Sequence, residues 1–332
     1  MMIEYIKTLF KNKFSCNPLI VEQLPQSGSY RQYFRLSTDG ISAIGVYNED
    51  KKENKAFVDF CRHFFNKGVR VPEIYGEDLA NGVYLQEDLG GECLLDYIER
   101  DDRCFSKDLV GLYKKVIKSL VDLQINGGDG LDYSLCIPRD TFDKQSILWD
   151  LNYYKYCWCR LAKVPLDEQR LEDDFEILVD YLLSERHDFF LFRDFQCRNI
   201  MIKDGVPFFI DFQGGRKGAL QYDIASLLYD AIAEIPAKLR EDLLDFYMDC
   251  VEMYIEIDRN DFRKKYYAYA FVRLLQAMGA FGLRGLHENK QHFIDSIEPG
   301  MKNLKGLIFD MQKFIDLPEL YATVQRYKSI NN

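Results

Sequence analysis

The sequence lacks several features by which whole classes of protein are recognised. Its nine cysteines include no C-x-x-C pair and are odd in number, so neither a zinc site nor a complete disulfide framework is indicated. No apolar run approaches membrane-spanning length, and the first residues do not have the layout of a signal peptide. We therefore expect reduced thiols and a cytoplasmic protein with no membrane partner.

The chain also lacks an excess of positive charge. Its 43 lysines and arginines are outnumbered by 53 aspartates and glutamates, which gives a formal net charge of −10. Because nucleic-acid affinity comes from neutralising phosphates, this balance argues against a nucleic-acid partner. The 332 residues are 47% hydrophobic and 14% aromatic, which is enough for a large core, and the length suits two lobes around a cleft.

The most informative stretch places three polar residues around a short hairpin. Apolar runs on both sides of Asp204-Gly205 predict two strands joined by a tight turn. Asp194 and Asn199 lie in the loop that enters this hairpin, and Asp211 lies just past its exit. Because a hairpin brings its two ends together, we expect the three side chains to converge on one small volume.

These residue types match the needs of phosphoryl transfer from ATP to a hydroxyl. One carboxylate must orient the acceptor and take its proton, while an amide oxygen and a second carboxylate hold Mg²⁺ against the triphosphate. Asp194 is thus the candidate base, and Asn199 and Asp211 are the candidate metal ligands. Each residue alone could cap a turn or end a strand. The order and spacing of all three favour a kinase.

The same segment resembles the catalytic segment of the aminoglycoside phosphotransferase and choline kinase-like group, whose members are built like protein kinases but act on small molecules. The likeness rests on residues 193–199, 210–213 and 218–230, and it extends over about residues 20 to 290. Within the group, residues 193–196 and 30–36 most resemble the bacterial cell-wall sugar kinases. Those enzymes phosphorylate the anomeric hydroxyl of N-acetylmuramate and N-acetylglucosamine.

The resemblance implies an α+β, two-lobed, protein-kinase-like fold that binds ATP and Mg²⁺. An N-terminal nucleotide-binding lobe over residues 1–88 would combine a small antiparallel sheet with one main helix. A mostly helical lobe over residues 89–332 would carry the catalytic loop and the acceptor site. In the group, the residue matching Asp223 braces the catalytic loop through backbone hydrogen bonds.

Local patterns place the individual elements. Apolar periodicity predicts strands over 19–24, 30–36, 41–47, 71–75 and 82–86. It predicts helices over 2–13, 54–65, 93–100, 106–125, 140–162, 167–184, 224–233, 238–257, 260–284 and 287–315.

Two segments are candidates for contacting the nucleotide. Ser27, Gly28 and Ser29 occupy the place of a kinase glycine-rich loop, where small residues let backbone N–H groups approach phosphate oxygens. With one glycine, an ordinary hairpin turn is the alternative. Gln86 and Glu87 lead into a polar hinge whose backbone reads the adenine edge in the group.

The hinge also contains Asp88, which we expect to cap the helix that follows it.

The chain departs from the group's pattern in two places. Phe192 stands two residues before Asp194, where the group has a supporting histidine. The strand over 41–47 contains no lysine to pair the α- and β-phosphates. Arg31 and Arg35 are the nearest candidates to supply this positive charge, followed by Lys51 and Lys52. Glu53 stands where the lysine's usual partner would be. A nucleotide-binding pseudokinase is the alternative that the missing lysine raises.

The acceptor is expected to be a small molecule, most simply a sugar. Arg216 follows Asp211 in a basic loop and is a candidate contact, although a solvated surface position is equally consistent. Specificity is expected from the helix over 260–284, in which Arg273, Gln276 and Arg284 are spread among small residues that tight helix packing explains equally well. Arg284 is the candidate substrate contact on this helix. Choline, an aminoglycoside or another amino alcohol is the alternative acceptor.

Overall fold

In the computed structural model, residues 2–25 and 31–327 are described, and they form a sheet-containing lobe followed by a mostly helical lobe. The first lobe contains α1 (Met2–Phe14), β1 (Ile20–Gln23), β2 (Gln32–Thr38), β3 (Ile41–Tyr47), α2 (Lys51–Asn66), β4 (Ile74–Asp78) and β5 (Val83–Glu87). Its five strands pair antiparallel in the order β1-β2-β3-β5-β4. The predicted α+β, two-lobed architecture is confirmed.

The two faces of β3 are both apolar, and this explains why the strand has no lysine. Ile44 and Val46 belong to the main core beside α2, whereas Ala43 packs on the opposite face under α1. Gly45 approaches α1 so closely that a Cβ atom there would lie 2.1 Å from Cγ2 of Ile6. A long charged side chain on either face would displace this packing.

The second lobe is built around a long helix. Its helices are α3 (Leu94–Arg100), α4 (Lys107–Asp122), α5 (Lys144–Tyr153), α6 (Glu168–Leu183), α7 (Gln221–Leu228), α8 (Ala237–Glu252), α9 (Arg259–Ala280), α10 (Gln291–Asp295), α11 (Ile297–Met311) and α12 (Pro318–Arg326). Helices α5, α7 and α11 pack around α9. Among the described residues, no helix is both long enough and apolar enough to cross a membrane.

Two short ribbons cross the cleft side of this lobe. They consist of β6 (Phe189–Leu191), β7 (Ile200–Lys203), β8 (Val206–Phe209) and β9 (Arg216–Gly218). β7 pairs with β8 as the predicted hairpin, and β6 pairs with β9. The second pairing joins three-residue strands far apart in sequence, so local patterns could not predict it.

The helix predicted over 224–233 is wrong at both ends, because α7 begins at Gln221 and ends at Leu228. Past its end, the carboxylate of Asp230 accepts hydrogen bonds from the backbone N–H groups of Ile232 and Cys197, at 3.2 and 3.1 Å. These bonds draw the chain out of the helix and toward the catalytic loop.

The helix predicted over 287–315 is two helices, α10 and α11. Asn289 has a left-handed backbone, with φ of +57°, which delays the start of α10. The Ser296 hydroxyl then donates to the carbonyl of His292 at 2.8 Å, at the boundary between the two helices. The sequence patterns missed α12 altogether.

The loop after β6 is held from behind by the buried carboxylate of Asp223. This group accepts hydrogen bonds from the backbone N–H groups of Phe192 and Arg193, at 2.7 and 3.0 Å. It also accepts one from Nε2 of Gln124 at 3.1 Å. The bracing role that the resemblance implied for Asp223 is what the structure shows.

Arg193 anchors the same loop from a second side. Its backbone is left-handed, with φ of +87°, and its guanidinium binds the carboxylate of Asp150 on α5 and the hydroxyl of Tyr222 on α7. The Arg193 side chain therefore fixes the position of the loop. Asp194, the next residue, projects toward the cleft.

The brace makes stability depend on pH. Burial raises the pKa of Asp223 to about 7, from about 3.9 in an unfolded chain. Its carboxyl group therefore favours folding most below about pH 4, and that contribution is lost as the pH rises to about 7. Relative to Asp223→Asn, which does not titrate there, the unaltered chain should lose up to about 4 kcal/mol across this window.

Urea unfolding of both chains between about pH 4 and about pH 8 measures this difference. A difference that does not change with pH would contradict the raised pKa.

Candidate active site

The hairpin brings Asp194, Asn199 and Asp211 together, as predicted. Asn199 immediately precedes β7, and Asp211 follows β8 by two residues. The open end of the ribbon is closed by a hydrogen bond from the backbone N–H of Ile210 to the carbonyl of Asn199, at 3.1 Å. The two ends of one local hairpin therefore supply the site.

Asn199 is oriented by the backbone of the candidate base. Its Nδ2 donates a hydrogen bond to the carbonyl oxygen of Asp194 at 2.9 Å. Because the amide nitrogen is engaged in this way, the amide oxygen is the atom that can serve a cation. The Asp194 carboxylate itself is 51% exposed, so an acceptor hydroxyl can reach it.

Asp211 lies at the base of the cleft in a strained backbone conformation. Its φ is +70°, and such outliers cluster at functional sites. Nε2 of Gln213 donates to its carboxylate at 2.7 Å. Desolvation raises the pKa of Asp211, the charge of Asp194 raises it further, and the charge of Arg31 opposes both. These groups are therefore within electrostatic reach of one another.

The donor set suits magnesium shared with a phosphate. Carboxylate and amide oxygens are the hard donors that Mg²⁺ prefers, and this ion keeps several waters and is usually completed by substrate phosphates. In the part of the chain that the structure describes, no group of three or more His, Cys, Asp or Glu side chains could hold a metal. Asn199 and Asp211 offer one amide oxygen and one carboxylate, so they suit a cation whose other ligands are waters and phosphates.

A buried ion pair supplies positive charge near the cleft. The Arg31 guanidinium is 2% exposed and lies 3.2 Å from the carboxylate of Glu53, close to the start of α2. It also lies 5.6 Å from the ring centre of Phe57. Glu53 in turn accepts a hydrogen bond from Gln213 at 3.3 Å, which connects this pair to Asp211. The cation thus comes from the residue preceding β2, and not from β3.

The predicted nucleotide contacts divide into two groups. Ser27, Gly28 and Ser29 lie outside the described residues, so their phosphate-binding role stays a prediction. Gln86 on β5 is buried, and its Oε1 accepts no hydrogen bond from the described residues. A buried polar atom of this kind requires a partner.

The hinge after β5 is tied to both lobes. Nζ of Lys203 on β7 binds the Glu87 carboxylate at 2.6 Å, and the Arg35 guanidinium of β2 binds Asp88 at 2.8 and 3.2 Å. The prediction that Asp88 caps the next helix is wrong, because α3 begins only at Leu94. The Asp88 carboxylate instead accepts a hydrogen bond from the Gly90 N–H at 3.0 Å.

Phe192 replaces the supporting histidine by packing. Its ring meets three neighbouring rings nearly edge-on, those of Phe195, Phe209 and Phe212. These rings come from the catalytic loop, from β8 and from the residue after Asp211. Aromatic packing therefore supports both sides of the hairpin.

Arg216 and Arg284, the two arginines predicted to contact the acceptor, do not lie beside the Asp194 carboxylate. Arg216 is buried, and its guanidinium donates to the carbonyls of Gly214 and Ile137. Arg284 pairs with Glu288 one turn further along the chain. The structure does not bring either side chain to the cavity beside Asp194.

That cavity has a volume of about 230 Å³ and lies between the catalytic loop, the end of α7 and helices α9 to α11. Arg198 and Arg273 both line it, and Nη2 of Arg273 lies 3.5 Å from the Asp194 carboxylate. Arg284 follows eleven residues later, which is about 16 Å further along a helix. The sequence pattern singled out both arginines, and the tertiary structure selects Arg273.

The small residues after Arg273 serve helix packing. A Cβ atom at Gly282 would lie 1.8 Å from the carbonyl oxygen of Cys157. The chain after α9 therefore packs directly on the segment after α5, and close helix contact explains this glycine.

Comparison with known proteins agrees with this geometry. A sequence model of the phosphotransferase enzyme family matches residues 21–254. The N-acetylmuramate/N-acetylglucosamine kinase of Pseudomonas putida is 24% identical over 90% of this chain and 86% of its own length. The enzyme of that name from Neisseria meningitidis is also 24% identical, over 88% of this chain and 86% of its own length.

Solved structures show the same fold. A choline kinase from Cryptosporidium parvum superposes with a TM-score of 0.61 at 13% identity, covering 97% of this chain and 99% of its own. An ADP-bound aminoglycoside phosphotransferase gives 0.59 at 13% identity, covering 92% and 98%. Because the family model matches more than half of its length, the chain belongs to the phosphotransferase enzyme family.

Proposed function

We propose that this protein is a Mg²⁺- and ATP-dependent kinase that phosphorylates the anomeric hydroxyl of an amino sugar, N-acetylmuramate or N-acetylglucosamine. The convergence of Asp194, Asn199 and Asp211 beside a small cavity carries the proposal. The names of the curated relatives supply the sugar. We further propose that residues 1–88 and 89–332 are the two lobes and that the protein is cytoplasmic, where ATP is available.

Asp194 acts on the acceptor. Its exposed carboxylate faces the cavity, where it accepts a hydrogen bond from the sugar hydroxyl and takes the proton as the oxygen attacks phosphorus. The oxygens of Asn199 and Asp211 hold the cation. When bound, Mg²⁺ neutralises charge on the phosphates of the nucleotide.

The nucleotide is held by residues on the opposite side of the cleft. Arg31, fixed by Glu53, supplies the charge that a strand lysine supplies in protein kinases. The orphaned Oε1 of Gln86 suits the amino group of adenine, and the backbone that follows Glu87 lines the adenine edge. All three groups that handle metal and proton are present, which argues against a pseudokinase.

The cavity favours a small acceptor. Its volume of about 230 Å³ lies just below the range of about 300–1,000 Å³ that is usual for ligand pockets. A single sugar ring is the appropriate scale, whereas a multi-ring aminoglycoside would extend outside the cavity.

The chemistry is tested by replacing the base. Asp194→Asn keeps the size of the side chain but cannot take a proton, so turnover should fall by about 10²–10⁴. ADP affinity, measured by calorimetry, should change little because this carboxylate faces the acceptor. Asp204→Asn, in the turn of the same hairpin, removes the same charge and should keep full activity. Comparable turnover in both variants would contradict the assignment.

The acceptor and its reacting hydroxyl are tested together with a panel. Phosphate transfer from Mg-ATP should be seen by ³¹P NMR with N-acetylmuramate and N-acetylglucosamine, and not with choline or kanamycin. The methyl glycoside of N-acetylglucosamine is the matched control, because it lacks only the free anomeric hydroxyl. Phosphorylation of the methyl glycoside at a comparable rate would place the reaction at another hydroxyl.

The role of Arg31 is tested through nucleotide affinity. Arg31→Met removes a charge-assisted contact to phosphate and should raise the KM for ATP roughly ten- to a hundredfold. Adenosine binding, which involves no phosphate, should change little. Arg62→Met removes an exposed arginine of α2 and serves as the control. An equal loss of ATP and adenosine affinity would instead indicate a structural role for Arg31.

A further inference from the structure

Basic side chains line the acceptor cavity beside Asp194. Arg273 lies against the catalytic carboxylate, Arg198 enters from the catalytic loop, and His292 enters from α10. Two carboxylates, those of Asp194 and Asp230, line the same cavity. With His292 neutral, these side chains sum to no net charge, although the chain as a whole carries −10.

Both carboxylates already have a partner within the protein. Asp194, which is half exposed, forms an ion pair with Arg273 at 3.5 Å. Asp230 accepts from the backbone N–H and the thiol of Cys197, at 3.1 and 3.0 Å, and from the Ile232 N–H at 3.2 Å. An ammonium group entering the cavity would lose its water and meet no carboxylate without a partner, which is costly.

The aromatic side chains of the cavity do not offset this cost. Tyr229, Phe281 and Phe293 line it, and ring faces attract cations. However, the Arg240 guanidinium already lies 4.5 Å from the centre of the Tyr229 ring, and His292 lies 4.3 Å from Phe293, centre to centre. At Tyr229 and Phe293, a ligand cation would therefore share the ring with a basic side chain.

Arg273 is the fixed element of this arrangement. It is 9% exposed, its Nε donates to Oγ of Ser226 at 3.0 Å, and its Nη1 donates to Oε1 of Gln276 at 2.6 Å. These bonds hold the guanidinium so that Nη2 points to Asp194. A positive charge is thus held beside the place where the acceptor hydroxyl must lie.

We propose that Arg273 determines the charge of the acceptor: the cavity binds neutral or anionic polyols and rejects cationic ones. The inference rests on the proposed function, since it takes this cavity as the acceptor site. Arg273 holds the Asp194 carboxylate in place, and its positive charge selects acceptors by their charge. It is therefore a positioning residue that also determines specificity.

The experiment compares acceptors that differ mainly in charge. N-acetylglucosamine is neutral and glucosamine carries a protonated amine, while N-acetylmuramate is anionic and its methyl ester is neutral. Values of kcat/KM are measured for the unaltered protein and for Arg273→Gln, Arg273→Lys and Arg198→Gln. Arg263→Gln removes an arginine of the same helix that pairs with Glu241 and Asp245 and is the control.

The unaltered protein should prefer N-acetylmuramate to its methyl ester and N-acetylglucosamine to glucosamine. In Arg273→Gln, both preferences should shrink roughly five- to tenfold, as expected for the loss of a charge-assisted contact. Arg273→Lys should retain both preferences because it keeps the positive charge. Arg198 is exposed, so its replacement does not endanger folding. In Arg198→Gln, the acid-over-ester preference should fall, and the Arg263→Gln control should leave every ratio unchanged.

If Arg273 had only a structural role, Arg273→Gln would lower kcat/KM for all acceptors by one common factor. The ratios of kcat/KM between differently charged acceptors would then stay unchanged, and this result would overturn the inference. Binding of the same acceptors with ADP present, measured by calorimetry, reads the charge preference without transfer. If no sugar is phosphorylated, the proposed function fails, while the order of binding still decides the charge inference. Tighter binding of glucosamine than of N-acetylglucosamine would overturn it.

Discussion

The carboxylate of Asp223 is the interaction on which the site depends. Placing an acidic group in the core is costly, and here three N–H donors compensate it. Two of those donors are the backbone amides immediately before Asp194, so the residue that we propose as the base is held by the main chain of its own loop. Because Asn199 is in turn bound to the carbonyl of Asp194, the same brace also orients the amide that we propose as a metal ligand.

In the function that we propose, positive charge reaches the nucleotide side of the cleft by a different route from that in protein kinases. β3 is occupied on both faces by apolar contacts, one to α1 and one to the main core. Arg31, which precedes β2 and pairs with Glu53, is the cation that we propose instead. Phosphoryl transfer requires a positive charge near the phosphates, whichever segment of the chain carries it. Neighbouring segments of one sheet can each supply that charge.

The acceptor side shows how a shared fold can serve different ligands. The structural neighbours include choline kinases and aminoglycoside phosphotransferases, but at 13% identity they establish the fold alone. In this chain, the cavity beside Asp194 pairs its carboxylates with Arg273 and with backbone amides. In the function that we propose, the choice of acceptor depends on which protein groups already pair with these carboxylates, and no sequence motif shows that pairing.

Elements with a local cause can be read from the sequence alone. The Asp204-Gly205 turn between apolar runs predicts the hairpin, and the hairpin places Asp194, Asn199 and Asp211, while apolar periodicity locates most helices. Long-range contacts, in contrast, bring Arg273 and not Arg284 to Asp194, pair Asp88 with Arg35, and direct Arg216 to the carbonyl of Ile137. Those outcomes depend on contacts between residues far apart in the chain, whereas turns and periodicity depend on neighbours within a few positions.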